Sequence, residues 1–145
     1  MDGVEKETSD PVTLGSETSG VSIGCYTTGG TDYCFSGLID EVGLWDTALS
    51  EEEIQDLYNL TGPIGNEVTE DDVPSNSNGG VSRYKLNKNA DDSWGSNNGN
   101  DTLTSGYGSG VYNNSKIFDG STGYIEIPDD SSLGLTNLTI SLWAY

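Results

Sequence analysis

The sequence has no histidine and only two cysteines among its 145 residues. The missing imidazole excludes a Ser-His-Asp triad, a histidine-ligated zinc site and imidazole acid–base catalysis. Two cysteines alone are also too few to hold a structural zinc ion.

Basic residues are scarce as well, since five lysines and arginines face 24 aspartates and glutamates, for a net charge of −19. Such a surface repels phosphate backbones and anionic lipids, which argues against nucleic acid and membrane as partners. The acidity has two interpretations, solubility in salty surroundings or binding of divalent cations that prefer oxygen ligands.

Long apolar runs are absent, and only 32% of the residues are hydrophobic. No stretch approaches the length of a membrane span, and the polar, acidic residues after Met1 do not predict a signal peptide. The 20 glycines favour a turn-rich β protein over a helical bundle.

The two cysteines lie in "GCYTTGGTDYCF", where two strand-like pieces flank a glycine-containing turn. This context predicts a Cys25–Cys34 disulfide across a hairpin, with two free thiols as the alternative. A disulfide would place the protein outside the cytosol.

Two segments alternate in the manner of strands. "NLTISLWAY" places Leu138, Ile140, Leu142 and Ala144 on one face. "CFSGLIDEVGLWD" predicts a covered central strand, because both of its faces carry apolar residues. Asp40 shares one face with Leu38, Val42 and Leu44. Glu41 is expected on the opposite face, with Ile39 and Trp45.

One short helix is predicted after this strand. Ser50 is a good N-cap, and Glu53 completes a capping box, with Leu49 and Ile54 placed to form a hydrophobic staple. Helix-start chemistry therefore explains the three consecutive glutamates 51–53 without a metal or a catalytic site.

Residues 61–80 are rich in proline, glycine and acids and predict a flexible linker. They separate residues 1–60 from residues 81–145. The alternating strands and turns on both sides predict an all-β, antiparallel sandwich with one short helix.

Both halves resemble parts of a laminin G-like, concanavalin A-like jelly-roll domain. "RYKLNKNADDSWGSNNGN", "FDGSTGYIEIPDDSSLGL" and "NLTISLWAY" resemble its opening, whereas "MDGV", "VSIGCY" and "FSGLIDEVGLWDTALSEEEIQDLYN" resemble its later part and its close. The closing part thus precedes the opening part, and the family's central strands are missing.

This order implies either a circularly permuted sandwich or a slice across the junction of two tandem repeats. The family's first and last strands are neighbours, so residues 1–60 and 81–145 are expected to pack on each other as one sandwich. The missing strands are expected to leave sheet edges exposed and to favour self-association.

The resemblance also bears on chemistry. Related jelly-roll glycosidases carry paired carboxylates in an E-x-D-x-x-E pattern that this chain lacks, so we expect no enzyme activity. Relatives often hold one structural Ca²⁺, and the resemblance assigns it to Asp40 with carbonyls around Asp119 and Gly120. The alternative is that Asp40 is an ordinary hydrogen-bonded strand residue.

Sugar binding is a common use of such domains and requires an exposed aromatic ring among polar groups. Trp94 is the tryptophan in the most loop-like setting, with Tyr107 and Tyr112 as lesser candidates. Trp94 could equally plug its own loop, and Trp45 and Trp143 are expected in the core.

We therefore expect an extracellular or surface-associated, non-catalytic recognition or adhesion module that binds glycans or a protein partner, with calcium as its cofactor. One alternative is a structural repeat unit of a surface or virion protein. Another is an accessory piece of a glycoside hydrolase.

Overall fold

The computed structural model describes residues 20–28, 31–61, 79–102 and 106–145. The "MDGV" segment of the resemblance and most of the predicted linker, 62–78, lie outside the described residues. Within the described ranges, no helix is long and apolar enough to cross a membrane.

The described chain is mostly β, with one α-helix. Its elements are β1 (Val21–Ile23), β2 (Cys25–Thr28), β3 (Thr31–Cys34), β4 (Ser36–Trp45), α1 (Glu51–Thr61), β5 (Gly80–Tyr84), β6 (Asn100–Thr102), β7 (Tyr107–Ser109), β8 (Asn114–Asp119), β9 (Tyr124–Ile127), a 3₁₀ turn (Ser131–Leu133) and β10 (Thr139–Ala144).

The strands form three antiparallel sheets. The small sheet has the order β1-β9-β6, and the hairpin β2-β3 stands by itself. The large sheet has the order β10-β4-β8-β7, with β5 also paired to β4. One edge of β4 pairs with β10, while its other edge is shared end to end by β8, over residues 36–39, and β5, over residues 42–45.

A β-bulge in β4 corrects the predicted alternation. Trp143 pairs with Asp40 but Ser141 pairs with Gly43, so Leu142 faces two residues of β4. Glu41 is one of these two and has a φ of 51°. Because the extra residue shifts the alternation by one position, Ile39 replaces Leu38 in the buried core beside Val42 and Leu44.

The prediction that Asp40 and Glu41 point to opposite faces is therefore wrong. Glu41 lines a small cavity together with Gly43, Trp45 and Ser141, on the side of β4 away from the core. Asp40 lies on this same outer side, because its cross-strand partner is Trp143, two residues from Ser141.

The core is built by side chains of both larger sheets. Ile23, Ile125 and Ile127 come from the small sheet, and Val42, Leu44, Tyr84 and Phe118 from the large one. All seven are less than 9% exposed. Because β1 and β4 pair with strands that follow residue 79, each half of the chain supplies part of the same core.

Helix α1 begins as predicted. The Glu53 amide donates to Ser50 Oγ at 3.3 Å, and the Ser50 amide donates to Glu53 Oε2 at 2.7 Å, which completes the capping box. Leu57 is buried, and the Tyr58 ring lies 5.7 Å from the ring of Trp143, so α1 covers the outer side of β4 and β10.

The two ends of the large sheet differ in how well the small sheet covers them. On one side, the buried Lys116 of β8 donates to Asp101 of β6 at 2.8 Å and lies over the Tyr107 ring of β7, which ties the two sheets together. This contact places β6 over β7 and β8. At the β10 end of the large sheet, the apolar row predicted on β10 is incompletely covered, with Ile140 54% exposed.

Candidate functional site

The disulfide between Cys25 and Cys34 is confirmed, with a Cα–Cα distance of 4.0 Å. The two cysteines are directly opposite each other at the base of the β2-β3 hairpin. The sulfur atoms lie 3.3 Å from the carbonyl oxygens of Gly123 and Ser121, so the hairpin base rests on the turn between β8 and β9.

The hairpin presents two tyrosines to solvent. Tyr26 and Tyr33 are direct cross-strand partners, so their side chains project from the same face with Cβ atoms about 5 Å apart. They are 65% and 62% exposed, more than any other large hydrophobic side chain in the described residues. We call this pair the tyrosine platform.

A cleft of about 340 Å³ opens beside the platform, lined among others by Ser22, Tyr26, Tyr124 and Glu126. It lies on the outer face of the small sheet, because Ile125 and Ile127, which alternate with Tyr124 and Glu126, are fully buried. Asn100 and Ser22 are the cross-strand neighbours of Glu126, so a row of hydroxyl, carboxylate and amide groups continues from the cleft across this face.

Local geometry holds the platform against the sheet. Gly24, at a φ of 99°, turns the chain from β1 into the hairpin directly over the Phe118 ring, and a Cβ atom at this position would overlap the ring. The Phe35 amide donates to the Gly24 carbonyl at 2.7 Å and closes the hairpin base. The platform is thereby anchored to the core before any ligand arrives.

Asp119 was predicted to contribute its backbone carbonyl to the metal, and its carboxylate is engaged by hydrogen bonds within its own turn. Its Oδ1 accepts hydrogen bonds from the amides of Ser121, Thr122 and Gly123 at 2.8–3.2 Å. These donors, Thr122 first, hold the pKa of the Asp119 carboxyl well below its usual range. Gly120 provides the positive φ of 74° that this turn requires.

Asp40 is fully buried. Its Oδ2 accepts from the amides of Val111 at 2.7 Å and Tyr112 at 3.3 Å, whereas Oδ1 has no hydrogen-bond partner among the described residues. Burial raises the pKa of the Asp40 carboxyl to about 6, and the neighbouring charge of Glu41 also raises it. Gly110 permits this arrangement, because a Cβ there would collide with Asp40 Oδ2.

The structure separates Asp40 from the other two residues of the predicted calcium site, Asp119 and Gly120. Asp119 pairs with Ser36, four register positions from Asp40, which corresponds to about 13 Å along the strand. The described part of the chain contains no group of three or more acidic, cysteine or histidine side chains placed to hold a metal. Of the three predicted ligands, Asp40 offers a buried oxygen without a hydrogen-bond donor, its Oδ1.

Glu41 has a different environment. The Arg83 side chain donates to Glu41 Oε2 from Nε at 3.0 Å and from a terminal nitrogen at 2.6 Å, and both side chains are buried. Although the bulge brings Asp40 and Glu41 to one side of β4, neither is accessible to a substrate, and Glu41 is neutralised by Arg83.

The three aromatic residues predicted to bind sugar have packing contacts. The half-buried Trp94 packs edge-on against Trp45 at 5.2 Å between ring centres, beneath its own loop. Tyr107 donates to Asp101 at 3.2 Å, and burial raises its pKa to about 12. Tyr112 is half-buried beside Asp40, to which its amide donates.

Sequence reasoning missed the tyrosine platform and Tyr124. A signal for the platform was present, because a Cys25–Cys34 disulfide across a hairpin makes the next pair inward, Tyr26 and Tyr33, cross-strand neighbours. Comparison with known proteins adds no candidate, since no family model, no curated protein and no solved structure matches the chain.

Proposed function

We propose that this protein is a non-catalytic recognition module that binds neutral glycans on the tyrosine platform and in the cleft beside it. The observation that carries the proposal is the pair of adjacent, exposed tyrosine rings on a disulfide-closed hairpin. Such rings offer flat apolar faces for a sugar ring and lose little conformational entropy on binding.

The polar groups beside the platform fit a ligand with many hydroxyls. Glu126 accepts hydrogen bonds, and the Asn100 amide offers donors and an acceptor. The Ser22 hydroxyl donates to the Cys25 carbonyl at 2.6 Å and so offers a ligand an acceptor. All three lie on the solvent-exposed face next to Tyr26 and Tyr124. The net charge of −19 disfavours sulfated or uronic-acid polymers, so the proposed ligand class is neutral.

The absence of catalysis is part of the proposal. Asp40 and Glu41 are adjacent carboxylates on one side of β4, but they are 0% and 6% exposed. A glycosidase needs two carboxyls that both reach the scissile bond. Buried side chains of which one is committed to Arg83 support binding rather than hydrolysis.

The resemblance to laminin G-like domains extends the proposal. The core shared by the small and large sheets supports a β-sandwich of jelly-roll type, and the confirmed disulfide supports an extracellular or surface location. Calcium at Asp40 remains a prediction, with Oδ1 as the candidate ligand atom of this residue.

Binding should first be sought on an array of neutral oligosaccharides, with calcium and with chelator, and quantified by calorimetry for the best ligand. We expect Tyr26→Ala and Tyr33→Ala each to weaken binding about tenfold, or about 1.4 kcal/mol, because each removes one ring face.

Tyr145→Ala is the matched control, since Tyr145 is 56% exposed but lies after β10 and belongs to neither the hairpin nor the lining of the cleft. It should leave affinity unchanged. An array without any neutral ligand, or equal losses in all three variants, would reject the glycan site. A protein partner that is released by the platform variants would instead identify the hairpin as a protein-binding surface.

A further inference from the structure

We infer that two copies of this chain associate by antiparallel pairing of their β10 strands, which joins the two large sheets into one continuous sheet. The inference is independent of the glycan site. Strand β10 lies at the end of the large sheet, and among the residues that the structure describes it pairs only with β4.

The backbone of β10 identifies which groups face the open edge. Tyr145 directs both its amide and its carbonyl towards Leu38, with two hydrogen bonds of 3.0 Å. Because alternate residues of a strand bond to the same neighbour, the amides and carbonyls of Ile140, Leu142 and Ala144 point away from β4. These three residues form the available edge.

This edge is complementary to itself. In an antiparallel pair centred on Leu142, Leu142 faces Leu142 of the second copy, and Ile140 faces the second copy's Ala144. Each of these pairs can exchange two backbone hydrogen bonds. A twofold axis therefore satisfies the whole edge without any change in either chain.

Side chains at this edge favour a second copy as well. The row of Leu138, Ile140, Leu142 and Ala144 lies on the core side of the large sheet, where Leu138 and Ile140 are 39% and 54% exposed. Pairing would place the same row of the second copy beside it and cover apolar surface on both.

The distribution of charged side chains also favours contact through β10. Each chain carries a net charge of −19, yet residues 131–145 contain no charged side chain. Two such acidic molecules can approach most closely through an uncharged strip. Edge strands that stay single are usually protected by lysine, proline or a bulge on the edge. The Thr139–Ala144 stretch has no lysine or proline, and the bulge opposite Leu142 places its extra residue in β4 and not in β10.

The test is the mass of the 145-residue chain in sedimentation equilibrium at low and high sodium chloride. We expect twice the monomer mass, with a larger dimer fraction at high salt because ions screen the repulsion between the acidic bodies. Ile140→Lys should give a monomer at concentrations where the parent is a dimer. Ser109→Lys adds the same charge at the opposite end of the sheet, on β7, and should remain a dimer.

Register can be tested separately by cross-linking, since the two native cysteines are already joined. A mixture of Ile140→Cys and Ala144→Cys chains should form disulfide-linked dimers, whereas each variant alone should form far fewer. A monomeric parent would overturn the inference, as would equal effects of the two lysine variants. A monomer whose Ile140, Leu142 and Ala144 amides resist hydrogen exchange would also overturn it, because another segment would then cover the edge.

Discussion

Asp40 and Glu41 are neighbours in the sequence, are both buried and lie on the same side of β4, yet they are accommodated differently. Glu41 receives a guanidinium from Arg83, with its closest nitrogen at 2.6 Å. Asp40 has no such cation: the amides of Val111 and Tyr112 donate to its Oδ2, and its Oδ1 has no hydrogen-bond partner within the described chain.

The two residues show two ways in which a fold accommodates a buried carboxylate. A buried carboxylate is tolerated when an opposite charge compensates for lost hydration, and otherwise it tends to bind a proton. Glu41 has the opposite charge of Arg83. Asp40 has none, and its raised pKa means that its carboxylate starts to bind a proton as the pH falls towards about 6.

The largest expected effect comes from removing the cation. Arg83→Met should lower the free energy of unfolding by about 3–5 kcal/mol, because Glu41 stays buried without its partner. The change can be measured by urea denaturation at pH 7. The double variant Glu41→Gln/Arg83→Met removes both charges and should recover much of the loss. A single variant as stable as the parent would show that the ion pair does not compensate Glu41.

The next effect is a pH dependence specific to Asp40. Its pKa is 3.8 in the reference state and about 6 in the folded protein, so the folded state binds the proton more tightly. The stabilisation from this proton is full below about pH 4 and is lost as pH rises through about 6, a change of about 3 kcal/mol. Above pH 6 the buried, charged carboxylate only destabilises the fold.

Asp40→Asn isolates this effect, because the amide oxygen still accepts from Val111 but does not titrate. With chelator present, the stability difference between the Asp40→Asn variant and the parent should change by about 3 kcal/mol between pH 3 and pH 8. Measuring the difference cancels titration of the other carboxylates. A pH-independent difference would mean that Asp40 is ionised throughout.

The smallest expected effect tests calcium at Asp40. If the ion binds only the folded protein, a hundredfold excess over its dissociation constant adds about 2.7 kcal/mol of stability. Melting temperatures in calcium and in chelator should then differ for the parent and coincide for Asp40→Asn. Asp119→Asn should keep the calcium response, since Asp119 lies four register positions away. Identical parent curves would reject the site.

Local features of this fold were predictable from sequence. The capping box of Ser50 and Glu53 and the Cys25–Cys34 disulfide involve residues three and nine positions apart, and both were confirmed. Short-range chemistry of this kind depends little on the rest of the chain.

Features that depend on register were not predictable. The bulge at Glu41 moves Ile39 into the core, although the sequence alternates equally well with Leu38 there. Asp40 and Asp119 were expected to meet, but pairing of Ser36 with Asp119 separates them. The candidate glycan site was missed for a related reason, since exposure of Tyr26 and Tyr33 depends on how the hairpin leaves the sheet.

The pairing of β4 with β10 has a consequence for how the chain folds. Thr139 Oγ1 donates to the Thr47 carbonyl across 92 positions of sequence, and the neighbouring strand pairs span similar separations. Antiparallel structures closed over such long loops fold slowly, in about milliseconds to seconds. During synthesis, β5 and β8 can pair with one edge of β4 first, whereas its other edge stays unpaired until β10 has left the ribosome, and an unpaired strand edge exposes the nascent chain to aggregation.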